Sequence, residues 1–246
     1  MEIFSDWGEI NGGLGFLSRY GHILFGITWI GLLYFFNFVQ VPSFAEMSAE
    51  SRSEALRKIT FRALWWFRWA ALATFLTGVI MLGIGGEDYK PSTSQGLSII
   101  WGALLATTMF LNVWGVIWRM QKINIRSAET VAAGGQADPR AAQAAKLAGR
   151  ASRVNTFFSI PMLFFMVFTT HFSFRFDDPE GGAAVVAWII FLVIWAFAEL
   201  SALGVIGGLD SAFNKAVFDD HRNTIIAGFV FLLILYVICW ELLIGN

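Results

Sequence analysis

The sequence predicts an all-α polytopic membrane helix bundle of about six transmembrane helices, with both termini on the outer side. Three observations predict it. Of 246 residues, 57% are hydrophobic and only 14% charged, whereas a soluble domain is about a quarter charged. The apolar residues gather into six runs that approach or exceed the roughly 20 residues a helix needs to cross a bilayer. Lys and Arg collect in alternate links between these runs, the asymmetry that orients membrane helices.

Composition also excludes some functions. The formal net charge of −1 suggests no nucleic-acid role. Cys239 is the only cysteine, so no disulfide forms within the chain and no CxxCH haem attachment exists. The N-terminal MEIFSDWGEI is acidic and does not read as a signal peptide.

The chain reads as a single transmembrane domain, 1–246. An acidic tail leads into the first span, 14–41, which Pro42 is expected to stop. The link 43–60 has helical spacing, with Ala55, Leu56 and Ile59 on one face, and suits the membrane surface. The second span, 61–84, opens with Trp65, Trp66 and Trp69, an interfacial belt. The EDYKPSTSQG loop precedes the third span, 97–118. A long polar region follows, with Asp138 and Pro139 placed to start a helix. The fourth span, 155–172, contains Pro161. The fifth covers 184–206 and the sixth 224–244.

The first-to-second link carries Arg52, Arg57, Lys58 and Arg62. The third-to-fourth link carries Arg119, Lys122, Arg126, Arg140, Lys146, Arg150 and Arg153, and the fifth-to-sixth adds Lys215 and Arg222. The opposite side holds only Arg19, Lys90 and Arg175. The basic side is therefore cytoplasmic, which suits a multi-pass protein of a bacterial inner membrane.

Two of the three histidines fall within or at the edge of spans. Ionisable groups there are costly, and each is a functional-site candidate by default. His22 lies about two turns into the first span, and His171 lies at the outer end of the fourth, so both belong to the outer leaflet. Gly26 and Trp29 follow His22 by four and seven residues and share its face. Two neutral imidazoles from two helices can hold haem b by its iron, with the glycine admitting a flat group and the indole as a wall. Alternatively, each imidazole hydrogen-bonds a neighbouring helix or sits at headgroup level. His221, in DDHRN, reads as a solvated residue or local cap. Arg68 and Glu199 lie in the inner halves of the second and fifth spans. They read either as an ion pair locking two helices or as a proton path or anion site.

At GHILFGITWIGLLYFFN and NTFFSIPMLFFMVFTTHF the chain resembles the membrane domain of bacterial membrane-bound urate hydroxylases, the urate oxidase N-terminal family. His22, Gly26, Trp29, Ile30, Gly31, Asn155, Pro161, Met166 and His171 carry the resemblance. It implies a membrane-bound redox protein that oxidises a purine and passes electrons to cytochrome c. In that family a c-type cytochrome domain commonly follows the membrane part. With no CxxCH among these residues, the acceptor is expected to be a separate cytochrome. The first helix also resembles, loosely, other small histidine-bearing haem membrane families, including the oxygen-independent protoporphyrinogen oxidases.

The reading is thus a haem-b redox protein working in oxidation or electron transfer near the outer face. Its rivals are a non-catalytic accessory subunit of a larger respiratory or photosynthetic complex, and a transporter. The broken fourth helix expected at Pro161 allows the last.

Overall fold

The structure, a computed structural model, describes residues 6–86 and 89–244. The first residues of the acidic tail, Glu87 and Asp88 of the EDYK loop, and both chain termini lie outside the described residues.

Six helices are long and apolar enough to cross a membrane: α1 (Gly13–Glu46), α2 (Ala49–Ile84), α3 (Ser94–Ala132), α4 (Ala141–His171), α5 (Ala183–Ala202) and α6 (His221–Ile244). Every regular element among the described residues is helical. In hydrocarbon no water pairs with peptide groups, and a helix satisfies them within itself. This is the architecture of a multi-pass membrane protein in contact with lipid.

The first four helices are longer than their apolar runs. Pro42 does not end α1. The preceding turn widens to π-helix over Phe35–Gln40, with the Val41 N–H reaching back to the Phe36 carbonyl, and the chain resumes as α-helix through Pro42 to Glu46. A widened turn absorbs the hydrogen bond that proline cannot make. The link expected along the membrane surface is instead the start of α2, capped by Ser48, whose hydroxyl accepts the Ser51 N–H at 3.2 Å. α4 starts well before its apolar run. The Asp138 carboxylate accepts the Arg140 backbone N–H and pairs with its guanidinium, which holds the carboxyl down at about 2. α5 is shorter than expected. Gly204 adopts φ 78°, and the N–H groups of Gly204 and Val205 turn back to the carbonyls of Ser201 and Leu200. This closing motif requires a left-handed residue, which glycine adopts without strain.

α4 is the centre of the bundle. Within its spanning stretch 67% of residues are buried, against 17–39% in the other five. It packs against α1, α3, α5 and α6, while α1 and α2 pair along their length. Trp101 of α3, fully buried, stacks on Phe191 of α5 with ring centroids 4.7 Å apart and meets Phe165 of α4 and Trp240 of α6 edge-on. The helix is unbroken at Pro161, contrary to expectation. Proline frees the Phe157 carbonyl, one turn back. Gly228 of α6 lies so close to that carbonyl that a Cβ there would stand 3.0 Å from its oxygen. The glycine thus brings the second helix against the proline's defect, where its Cα–H can face the freed oxygen.

The basic links carry the expectation that the third-to-fourth link faces the cytoplasm and the second-to-third link faces outside. Single cysteines in place of the exposed Ser92 and Ala133, with buried Cys239 changed to Ser, test this. A membrane-impermeant maleimide added to intact cells should label position 92 and spare position 133. The reverse pattern inverts the topology.

Candidate functional site

α1, α2, α3 and α4 border a largely apolar cavity of about 590 Å³ that opens at the bundle surface, where Ile23, Ile27 and Val167 of its lining are exposed; its size is within the range of cofactor sites. His22 from α1 and His171 from α4 both line it, as do Gly26 and Trp29. The helical stripe read from the sequence therefore faces one cavity, and the second histidine lines it from another helix.

The state of His22 follows from its neighbours. Its Nδ1 donates to the Thr74 carbonyl at 2.9 Å, with the Thr77 hydroxyl oxygen at 3.3 Å. A carbonyl only accepts, so Nδ1 carries the proton and the neutral ring keeps the Nε2 lone pair free. This is the tautomer of a metal-binding imidazole, fixed by a backbone acceptor on its other nitrogen. The hydroxyls of Thr28, Thr169 and Thr170 donate within their own helices, to the carbonyls of Leu24, Phe165 and Val167. His171 is the last residue of α4 and is exposed.

Close approach is provided by a glycine that the sequence did not single out. A Cβ on Gly78 of α2 would meet the His22 ring at 3.2 Å, whereas one on Gly26 would make an ordinary contact, 3.8 Å from Thr74. Gly26 leaves room in the cavity wall, and Gly78 seats the imidazole. Arg19 is the one Lys or Arg in the described lining. It precedes His22 by three residues and shares its face, a spacing that could have revealed it. Trp29 is 1% exposed, and its indole Nε1 has no acceptor among the described residues. A buried donor left unpaired is costly, so a cavity ligand with an acceptor would satisfy it.

The largely apolar lining thus brings together one imidazole with a free Nε2, a second histidine, a cation and a tryptophan with an unpaired indole N–H. His221 lies elsewhere, at the start of α6, with its ring 6.1 Å from that of Phe38.

The expected ion pair between Arg68 and Glu199 is absent. Glu199 of α5 accepts from Asn112 of α3 at 3.1 Å. The Asn112 amide also donates to Asn155 of α4 at 2.9 Å, and Asn155 donates to the Met109 carbonyl at 3.0 Å. The Arg68 guanidinium lies over the Trp118 ring, 3.7 Å from its centroid. Opposite charges at similar depth suggested the pair, but depth does not say which face of a helix a residue occupies. Asn112, whose amide joins three helices, solvates the carboxylate instead.

Residues 90–202 match the model of a family described as urate oxidase N-terminal. The stretch holds α3, α4 and α5, with Asn112, Asn155, His171 and Glu199; His22, Gly26, Trp29 and Arg68 precede it. No curated protein and no solved structure matches the chain.

Because the two charges have separate partners, Arg68→Leu and Glu199→Leu should each lower the thermal midpoint in detergent. The double variant should lose the sum within about 0.5 kcal/mol. A double variant more stable than either single one would restore the ion pair.

Proposed function

We propose that the chain is the membrane module of a urate hydroxylase-like redox system, holding haem b between His22 and His171. One observation carries this reading: two imidazoles from different helices line one apolar cavity, and one of them is fixed in the metal-binding tautomer. The match at residues 90–202 supports the family setting.

Haem b, when bound, would supply reversible one-electron chemistry at its iron, tuned by axial ligands and burial. The chain's own residues divide the remaining work. His22 offers Nε2, and the Thr74 carbonyl opposite Nδ1 keeps that ring neutral and oriented. Gly78 gives the ring its seat. Arg19 is a cation for carboxylate arms, and Trp29 donates from the buried wall. The apolar lining excludes water, which favours a stable ligand set and raises the weight of each nearby charge. With the basic links on the cytoplasmic side of a bacterial inner membrane, His171 would lie near the outer face. Electrons from a purine-like donor would pass from there to a separate cytochrome c.

The oxidised and reduced absorption spectra of detergent-purified protein test the assignment, with a six-coordinate b-type spectrum expected. His22→Ala and His171→Ala should lose haem or become high-spin, while His221→Ala should match wild type. Full haem and an unchanged spectrum in both cavity variants would remove the assignment. A folded wild type without haem from haem-replete cells would favour the accessory-subunit reading.

Gly78 supplies a separate check. Gly78→Val places methyl groups against the His22 ring, so haem content should fall at least about tenfold for an axial-bond loss of a few kcal/mol, with helix content by circular dichroism retained. Wild-type haem content in that variant would show that the seat is not needed.

A further inference from the structure

Arg68 carries a charge that no described residue of the chain pairs with. Among the described residues it takes part in no ion pair, its guanidinium has no hydrogen-bond acceptor, and its Nε is buried. What surrounds it is aromatic. The guanidinium lies over Trp118 of α3, flanked by Trp69 and Trp114 at 5.9 and 5.8 Å. The Trp114 indole donates to the Arg68 carbonyl at 3.2 Å, which ties α3 to α2 at this level.

A second cation shares the same ring. Lys122 Nζ is 5.6 Å from the Trp118 centroid, and it too is in no ion pair among the described residues. Two cations on one indole repel each other, and an anion reached by both offsets that cost. The neighbouring charges add to the field. Of Arg57, Lys58, Arg62 and Arg119, only Lys58 is paired among the described residues, with Glu54 on its own helix.

The chemistry of the surroundings selects the anion. Trp65, Trp66 and Trp69 are 45%, 60% and 42% exposed, and exposed indoles on a membrane helix sit at headgroup level. Below them α2 exposes Leu76 and Ile80, outside the lining of the histidine cavity. A partner here meets cations at one level and apolar side chains at the next. We propose that the Arg68–Trp118–Lys122 cluster binds the phosphate of an anionic phospholipid, whose acyl chains lie along α2. Arg68 takes the phosphate with its planar set of donors, held flat by the indole, and Lys122 adds a point charge. The site is separate from the histidine cavity and stands whether or not haem is bound.

The full chain, purified in mild detergent, is tested by counting retained phospholipid by mass spectrometry and by thermal midpoint with added lipid. Phosphatidylglycerol should be retained and raise the midpoint, because a ligand of the folded state stabilises it. Phosphatidylcholine and inorganic phosphate should not. Arg68→Gln and Lys122→Gln should each weaken binding about fivefold, and Arg68→Lys should restore part of the loss. Lys122→Gln keeps the test open should Arg68→Gln fold poorly. Equal stabilisation by phosphatidylcholine, or unchanged phosphatidylglycerol retention in the double Gln variant, overturns the site. A matching shift with inorganic phosphate alone overturns the lipid assignment.

Discussion

Hydrocarbon offers no hydrogen bonds, and the rest of this structure answers to that constraint. Each polar atom at membrane depth must find a partner inside the protein or in a bound ligand. α4 is where most of these needs meet. Asn155, fully buried, both accepts from Asn112 and donates to the Met109 carbonyl. Ser98 of α3 shares a 2.9 Å hydrogen bond with Thr169, and Tyr34 of α1 reaches Ser159 at the same distance. Such bonds contribute about 0.6 kcal/mol each in a membrane, where helices gain little from hydrophobic exclusion. Their value lies as much in register, because each fixes one helix against α4 at a particular height.

The same constraint makes the unsatisfied groups informative. Trp29 and Arg68 leave nitrogen donors buried without acceptors. Trp29 lines the histidine cavity, and Arg68 lies over Trp118 beside the basic links. A ligand with carboxylates would relieve the first, and a lipid phosphate the second. The glycines tell a related story. Gly78 and Gly228 sit where a side chain would strike an imidazole and a backbone carbonyl, so each permits a polar group to approach a second helix.

Much of the fold was legible in the sequence, because crossing a bilayer demands length and apolarity, and both are local. The six runs, the basic asymmetry, and the stripe of His22, Gly26 and Trp29 on α1 follow from composition and a 3.6-residue period. Helix ends were less legible. Pro42 looked like a stop because a proline's effect depends on the turn before it, and a π-turn does not declare itself in sequence. Gly204 ended α5 early through a hydrogen-bond motif of which only the glycine is visible beforehand.

The sequence by itself determined where the apolar runs lie and that two imidazoles fall within them or at their edge. Tertiary structure alone decided that His22 and His171 share one cavity, that Gly78 rather than Gly26 seats the ring, and that Arg68 and Glu199 never meet. The reason is rotational. Sequence fixes how deep a residue lies and which residues share its face, but the direction of that face depends on how helices turn to pack. That turn is set by contacts such as those of Asn112 with Asn155 and Trp114 with Arg68, which join residues dozens of positions apart.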